Sequence, residues 1–144
     1  MKTLFDTSVL IAAIVQAHPK HYQALPWLKK AKEKKLEYLV AAHTLAELYA
    51  VLTTLPVSPK IKPGLAQHLI QENVVSMAKI IPLSPSEYSA TIQQTANLCL
   101  SGGKIYDALI AAAAQKAKAQ KLLTLNRKDF QWVWPEGSSL LHVP

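Results

Sequence analysis

The chain contains only three aspartates, and each adjoins an apolar run that reads as a strand or a buried helix. Asp6 follows Thr3-Leu4-Phe5, Asp107 opens Ala108-Leu109-Ile110-Ala111, and Asp129 lies just past Lys121-Leu122-Leu123-Thr124-Leu125. Glu47 joins them, in an apolar helix-like stretch with no lysine or arginine three or four residues away. Ionised carboxylates beside a core are costly unless something positive neutralises them. An oxygen-only ligand set selects a hard divalent cation, Mg²⁺ or Mn²⁺, over zinc. A phosphate-bearing substrate would then suit a chain with 16 lysines and arginines against 9 acidic residues.

Each carboxylate also has a purely structural reading. Asp6 can cap the helix that follows, although Thr7 and Ser8 could do so equally well. Glu47 can face solvent on the least apolar stripe of its helix. Asp107 suits the positive end of a helix dipole, and Asp129 can cap a turn before Phe130. Other chemistries have less to rest on. The histidines at 18, 21, 43, 68 and 142 are scattered, and His18-x-x-His21 lacks partner ligands for zinc. Neither a glycine-rich phosphate loop nor a G-x-S-x-G elbow occurs.

The elements that must position these acids alternate in type. Strands are expected at Lys2–Phe5, Glu37–Ala41, Lys79–Leu83 and Leu122–Leu125, with a fifth at Ser139–His142. Helices are expected from Asp6-Thr7-Ser8 towards Pro19, and at Tyr22–Lys35, His43–Thr53, Gly64–Met77, Ser84–Leu100 and Lys104–Ala119. Trp132 and Trp134 alternate as on one side of an extended segment, with a core or dimer contact preferred over base stacking. Alternating strands and helices imply parallel pairing through right-handed crossovers. The expected fold is therefore α/β, a three-layer α/β/α arrangement in one domain, 1–144, with a short parallel sheet flanked by helices. In such sheets ligands bind beyond the carboxyl ends of the strands, near the topological switch point. Asp6 and the Asn126–Asp129 segment fall there.

Half of the residues are hydrophobic, which excludes a disordered chain, and the net charge of +7 favours a polyanionic partner, nucleic acid first. The lysines between Lys29 and Lys35 read as a solvated helix face. Cys99 is the single cysteine, read as a small core residue; no intramolecular disulfide can form, and a cytoplasmic location fits. Asp6 interrupts the apolar start that would otherwise imitate a leader. No apolar run approaches the ~20 residues that span a bilayer, so no membrane partner is expected.

These segments bring the chain to a known family. Leu4-Phe5-Asp6-Thr7-Ser8-Val9-Leu10, Leu45-Ala46-Glu47-Leu48, Ile105-Tyr106-Asp107-Ala108-Leu109-Ile110-Ala111-Ala112 and Leu123-Thr124-Leu125-Asn126-Arg127-Lys128-Asp129-Phe130 lie in family order across essentially the whole chain. In them the chain resembles the PIN-domain ribonucleases, especially the VapC-type toxins. The resemblance implies a metal-dependent endoribonuclease with Asp6, Glu47, Asp107 and Asp129 as metal ligands and catalytic residues. It also implies Mg²⁺ or Mn²⁺ as cofactor and products with 5′-phosphate and 3′-hydroxyl ends. Many relatives carry an aspartate where this chain has Asn126, which shifts weight to Asp129 and weakens the case for a second metal. Thr7, Thr124 and Asn126 become supporting groups, and Lys104, Arg127 and Lys128 become RNA contacts. A small antitoxin is the expected protein partner, received near Pro56–Met77, and a homodimer is the expected assembly. Two rivals stand beside the toxin: a housekeeping RNA-processing nuclease, and a catalytically silent PIN fold that binds RNA or protein, which Asn126 keeps open.

Overall fold

The computed structural model describes all 144 residues. Five strands, β1 (Lys2–Phe5), β2 (Glu37–Ala41), β3 (Lys79–Ile81), β4 (Lys121–Leu123) and β5 (Leu141–His142), form one sheet in the order β3-β2-β1-β4-β5. All four pairings are parallel, with Leu4 opposite Leu39 on one side and Leu122 on the other. The sheet is covered on both faces, so its strands read as continuous apolar runs. Phe5, Tyr38, Val40 and Leu123 face the layer of α1 (Thr7–Ile14), α2 (His21–Lys32), α3 (Ala42–Leu52) and α4 (Pro63–Ile70). Leu4, Leu39, Ala41 and Leu122 face α6 (Lys104–Lys116) and α7 (Arg127–Val133), while α5 (Pro85–Asn97) packs on the outside of α6. The three-layer parallel α/β expectation therefore holds.

Boundaries moved inward where backbone partners run out. β3 stops at Ile81 because Pro82 has no amide to donate. β4 starts at Lys121 and ends at Leu123, since the amides of Leu125 and Asn126 turn to side-chain hydroxyls instead. The first half of the expected fifth strand, Ser139 and Leu140, belongs to a 3₁₀ segment, Pro135–Leu140, leaving Leu141 and His142 to pair. Gly137 is required there, because a Cβ at that position would overlap the Trp134 indole. The extended reading of Trp132 and Trp134 is overturned: Phe130 and Val133 are buried three apart on α7, which leaves Trp132 63% exposed and puts Trp134 in the core just past the helix end.

Cys99 is also corrected. It is exposed, just beyond α5 at φ 58°, where the amide of Leu100 bonds back to the Thr95 carbonyl. That left-handed helix stop favours glycine. Cys99→Gly is expected to stabilise the protein by about 1 kcal/mol; an unchanged urea midpoint would count against the strained backbone. At the other end of α5 a capping box is present, with Glu87 N–H donating to Ser84 Oγ at 3.2 Å and Ser84 N–H donating to Glu87 Oε1 at 2.7 Å.

Candidate active site

The chain reverses direction across the sheet at β1: β2 and β3 lie to one side of it, β4 and β5 to the other. The cleft at the carboxyl ends of β1 and β4 is therefore the place where side chains from distant segments meet. Asp6 leaves β1 there, 3% exposed, and its backbone amide still donates to Leu123 O at 2.9 Å. Glu47 comes from α3 and Asp107 from the first turn of α6, and both line the same cleft of about 490 Å³ with Asn126 and His18.

Asp6 is held by a set of short bonds. Its Oδ1 accepts from Thr7 N–H at 2.8 Å, so it does cap α1. Its Oδ2 accepts from Ser8 Oγ at 2.7 Å and from Thr124 Oγ1 at 2.9 Å. Both hydroxyls accept in turn from the chain leaving β4: Ser8 from Leu125 N–H at 3.0 Å, Thr124 from Asn126 N–H at 2.9 Å. Of about four acceptor positions on a carboxylate, three on Asp6 are occupied by protein donors. Burial pushes its pKa up, and the bonds from Ser8, Thr124 and Thr7 oppose that shift.

Glu47 and Asp107 have far fewer partners. The Thr7 hydroxyl lies 3.2 Å from Thr44 Oγ1 and only 3.4 Å from Glu47 Oε1. His43, one turn before Glu47, sits at 3.6 Å, stacked on Tyr106 at 4.9 Å between ring centres. Burial and then the charge of Asp6 hold the Glu47 carboxyl above its ordinary range. Asp107 is raised to about 7 by burial and then by Asp6, Asp129 and Glu47, with Lys104 acting in the opposite sense. The four acids thus share one field. Asp129 takes part only through its charge: it is outside the cleft wall, bonded to Lys104 Nζ at 2.6 Å.

Of the expected supporting residues, Thr7 and Thr124 touch carboxylates directly, whereas Asn126 meets the cleft and bonds Thr124 through its backbone. Lys104 is occupied by Asp129, Arg127 donates to Leu141 O at 3.3 Å, and Lys128 is exposed on the first turn of α7. Ser8 was the residue that sequence reasoning missed as part of the site. The helix-start pattern explained it fully, and only the pairing of β1 with β4 shows that it links Asp6 to Leu125.

The donor set fits a hard divalent cation in chemistry and in charge. Asp6 keeps an acceptor position, the Asp107 carboxylate has no side-chain donor, and burial, then repulsion from neighbouring acids, raises the pKa of both Glu47 and Asp107. No three carboxylates, imidazoles or thiols already converge on one point, so a cation would have to draw Glu47 and Asp107 inward.

A fully parallel sheet with buried and half-buried acids gathered at its switch point defines the class, and the chain belongs to the PIN-domain family, whose model matches residues 3–132. It is similar to Ribonuclease VapC27 of Mycobacterium tuberculosis, 33% identical over 115 residues, which is 80% of this chain and 78% of that protein. Ribonuclease VapC40 of the same organism is 34% identical over 119 residues, 83% of this chain and 82% of its own length. Among solved structures, VapBC2 from Rickettsia felis bound to a DNA fragment from their promoter superposes with a TM-score of 0.67 at 22% identity, over 100% of this chain and 99% of that one. That likeness is one of fold. No helix is long and apolar enough to cross a membrane.

Proposed function

We propose that this protein is a metal-dependent endoribonuclease and the toxin member of a toxin–antitoxin pair, with Asp6, Glu47 and Asp107 as its metal-holding acids. The observation that carries the reading is the shared cleft of three carboxylates from β1, α3 and α6, in a chain one third identical to VapC ribonucleases. When bound, Mg²⁺ or Mn²⁺ activates water and neutralises charge growing on the phosphodiester. The chain's own residues supply the rest. Ser8, Thr7 and Thr124 fix Asp6 in one orientation, so the cation seat is defined on one side before RNA arrives. Glu47 and Asp107, less constrained, adjust around it. Asp129 keeps Lys104 beside the acids, where its ammonium tempers their repulsion of an incoming phosphate.

An antitoxin segment fits best between α3 and α4, where Leu45, Tyr49, Ile70 and Val75 line an open groove of about 440 Å³. Tyr49, which lines it, is 45% exposed. A homodimer is the assembly we expect.

Metal binding is testable without activity. Mn²⁺ at about 100 times its dissociation constant is expected to stabilise the fold by about 2.7 kcal/mol, read as a rise in melting temperature that EDTA reverses. A protein indifferent to Mn²⁺ and Mg²⁺, in melting and in RNA cleavage alike, would remove the basis for the reading.

A further inference from the structure

Trp27, on α2, stands among cations that have no carboxylate partner. Lys30 Nζ lies 4.4 Å from its ring centre and Lys121 Nζ 4.9 Å, while the His142 ring meets it edge-on at 5.2 Å. Arg127 completes the group through its bond to the carbonyl of Leu141, the neighbour of His142. The ion pairs of the molecule use Lys35, His43, His68, Lys104 and Lys116, and none uses Lys30, Lys121 or Arg127. After burial, the charges of Lys121, Arg127 and Lys30 are what hold the His142 imidazole below its ordinary range, so all three reach the same spot. Cation–π contact with one indole offsets little of this charge at an exposed site. Three gathered positive charges therefore still favour an anion.

Their arrangement says which kind. Arg127 directly follows Asn126, which lines the acidic cleft, and Lys121 stands at the far end of β4. Thr124 and Lys121 are separated by three residues, about 10 Å of extended chain. The cations thus gather in one group around Trp27 and His142, beside the rim of the cleft. Charges gathered this close to the cleft suit the phosphates of a strand that enters it, with the Trp27 ring among them.

We propose that this edge, formed by α2, β4 and β5, binds the backbone of the RNA strand on one side of the cleaved bond. The proposal rests on the ribonuclease reading above. A fluorescent single-stranded RNA oligonucleotide would be titrated onto the Asp107→Asn protein, so that the RNA stays whole, at several salt concentrations. Lys30→Gln with Lys121→Gln is expected to make the negative slope of log K against log salt shallower by about 1.4, at about 0.7 per phosphate contact on a single strand. Lys30→Arg with Lys121→Arg should keep the slope, which separates charge from misfolding. In the otherwise wild-type enzyme the glutamine pair should raise KM on the same RNA and leave kcat unchanged. Unaltered affinity and slope would overturn the proposal, as would a loss confined to duplex DNA. A wild-type protein that cleaves no RNA would instead remove the ribonuclease reading, a result distinct from an unchanged slope.

Discussion

Asp107→Asn is expected to abolish RNA cleavage and, at the same time, to make the metal-free protein more heat-stable at neutral pH. The activity loss follows from the number of acids in the cleft. Removing one of three ionised ligands sacrifices several kcal/mol of charge stabilisation in the transition state, on the order of 10³-fold in rate. The stability gain follows from the same crowding. The Asp107 carboxyl titrates at about 7 in the folded protein against an ordinary 3.8. Between those values the folded state keeps a proton that the unfolded state has released. Stability therefore falls as pH rises through that window, and the whole penalty is present above about pH 7. Asparagine carries no charge at any pH and escapes the penalty. Melting curves from pH 4 to about 8 without metal should show the variant's advantage growing across the window. A variant that cleaves RNA normally, or one whose advantage does not depend on pH, would contradict the placement of Asp107 in the acidic field. Asp129→Asn should be much milder, because Asp129 is already paired with Lys104.

Thr124→Val should lower activity by about 10–100-fold, the usual effect of losing a group that orients a ligand. Valine reproduces the shape of threonine and removes one hydroxyl that is fully buried. That hydroxyl donates to Asp6 Oδ2 and accepts from Asn126 N–H, each at 2.9 Å. Its loss leaves a backbone donor unpaired, at a cost of about 1–3 kcal/mol in stability. It also removes one of the bonds that oppose the upward shift of the Asp6 pKa. Thr124→Ser keeps the hydroxyl and should recover most of both effects. Equal damage from serine and valine would show that the methyl group, not the hydroxyl, is what matters; urea midpoints and initial cleavage rates decide between them.

Much of this was legible in the sequence because the signals were local and agreed. The apolar runs of Lys2–Phe5 and Glu37–Ala41 gave strands, and Ser84-Pro85-Ser86-Glu87 gave a capped helix start. Asp6, Glu47 and Asp107 could be singled out because buried acids are chemically conspicuous. What failed depended on contacts across the fold. The Trp132–Trp134 alternation imitated a strand, yet Phe130 and Val133 pack as a helix against the sheet. Cys99 matched a core pattern until a left-handed helix stop placed it outside. The pairing of Asp129 with Lys104 was not readable at all, because it depends on how α6 and α7 meet. The cation group beside Trp27 draws on α2, β4, β5 and α7, so no single segment announces it.

The bond between Thr124 and Asp6 joins residues 118 positions apart. During synthesis the segment around Asp6 therefore emerges long before the strand that secures it, and a single domain folds as a unit. Until β4 has been made, Asp6 lacks the Thr124 hydroxyl, and neither Ser8 nor the Asp6 amide has its partner at Leu125 or Leu123. A growing chain thus has no organised acidic cleft for most of its translation. For an enzyme that cuts RNA, the acid at the centre of the cleft is therefore fully secured only once β4 has been made.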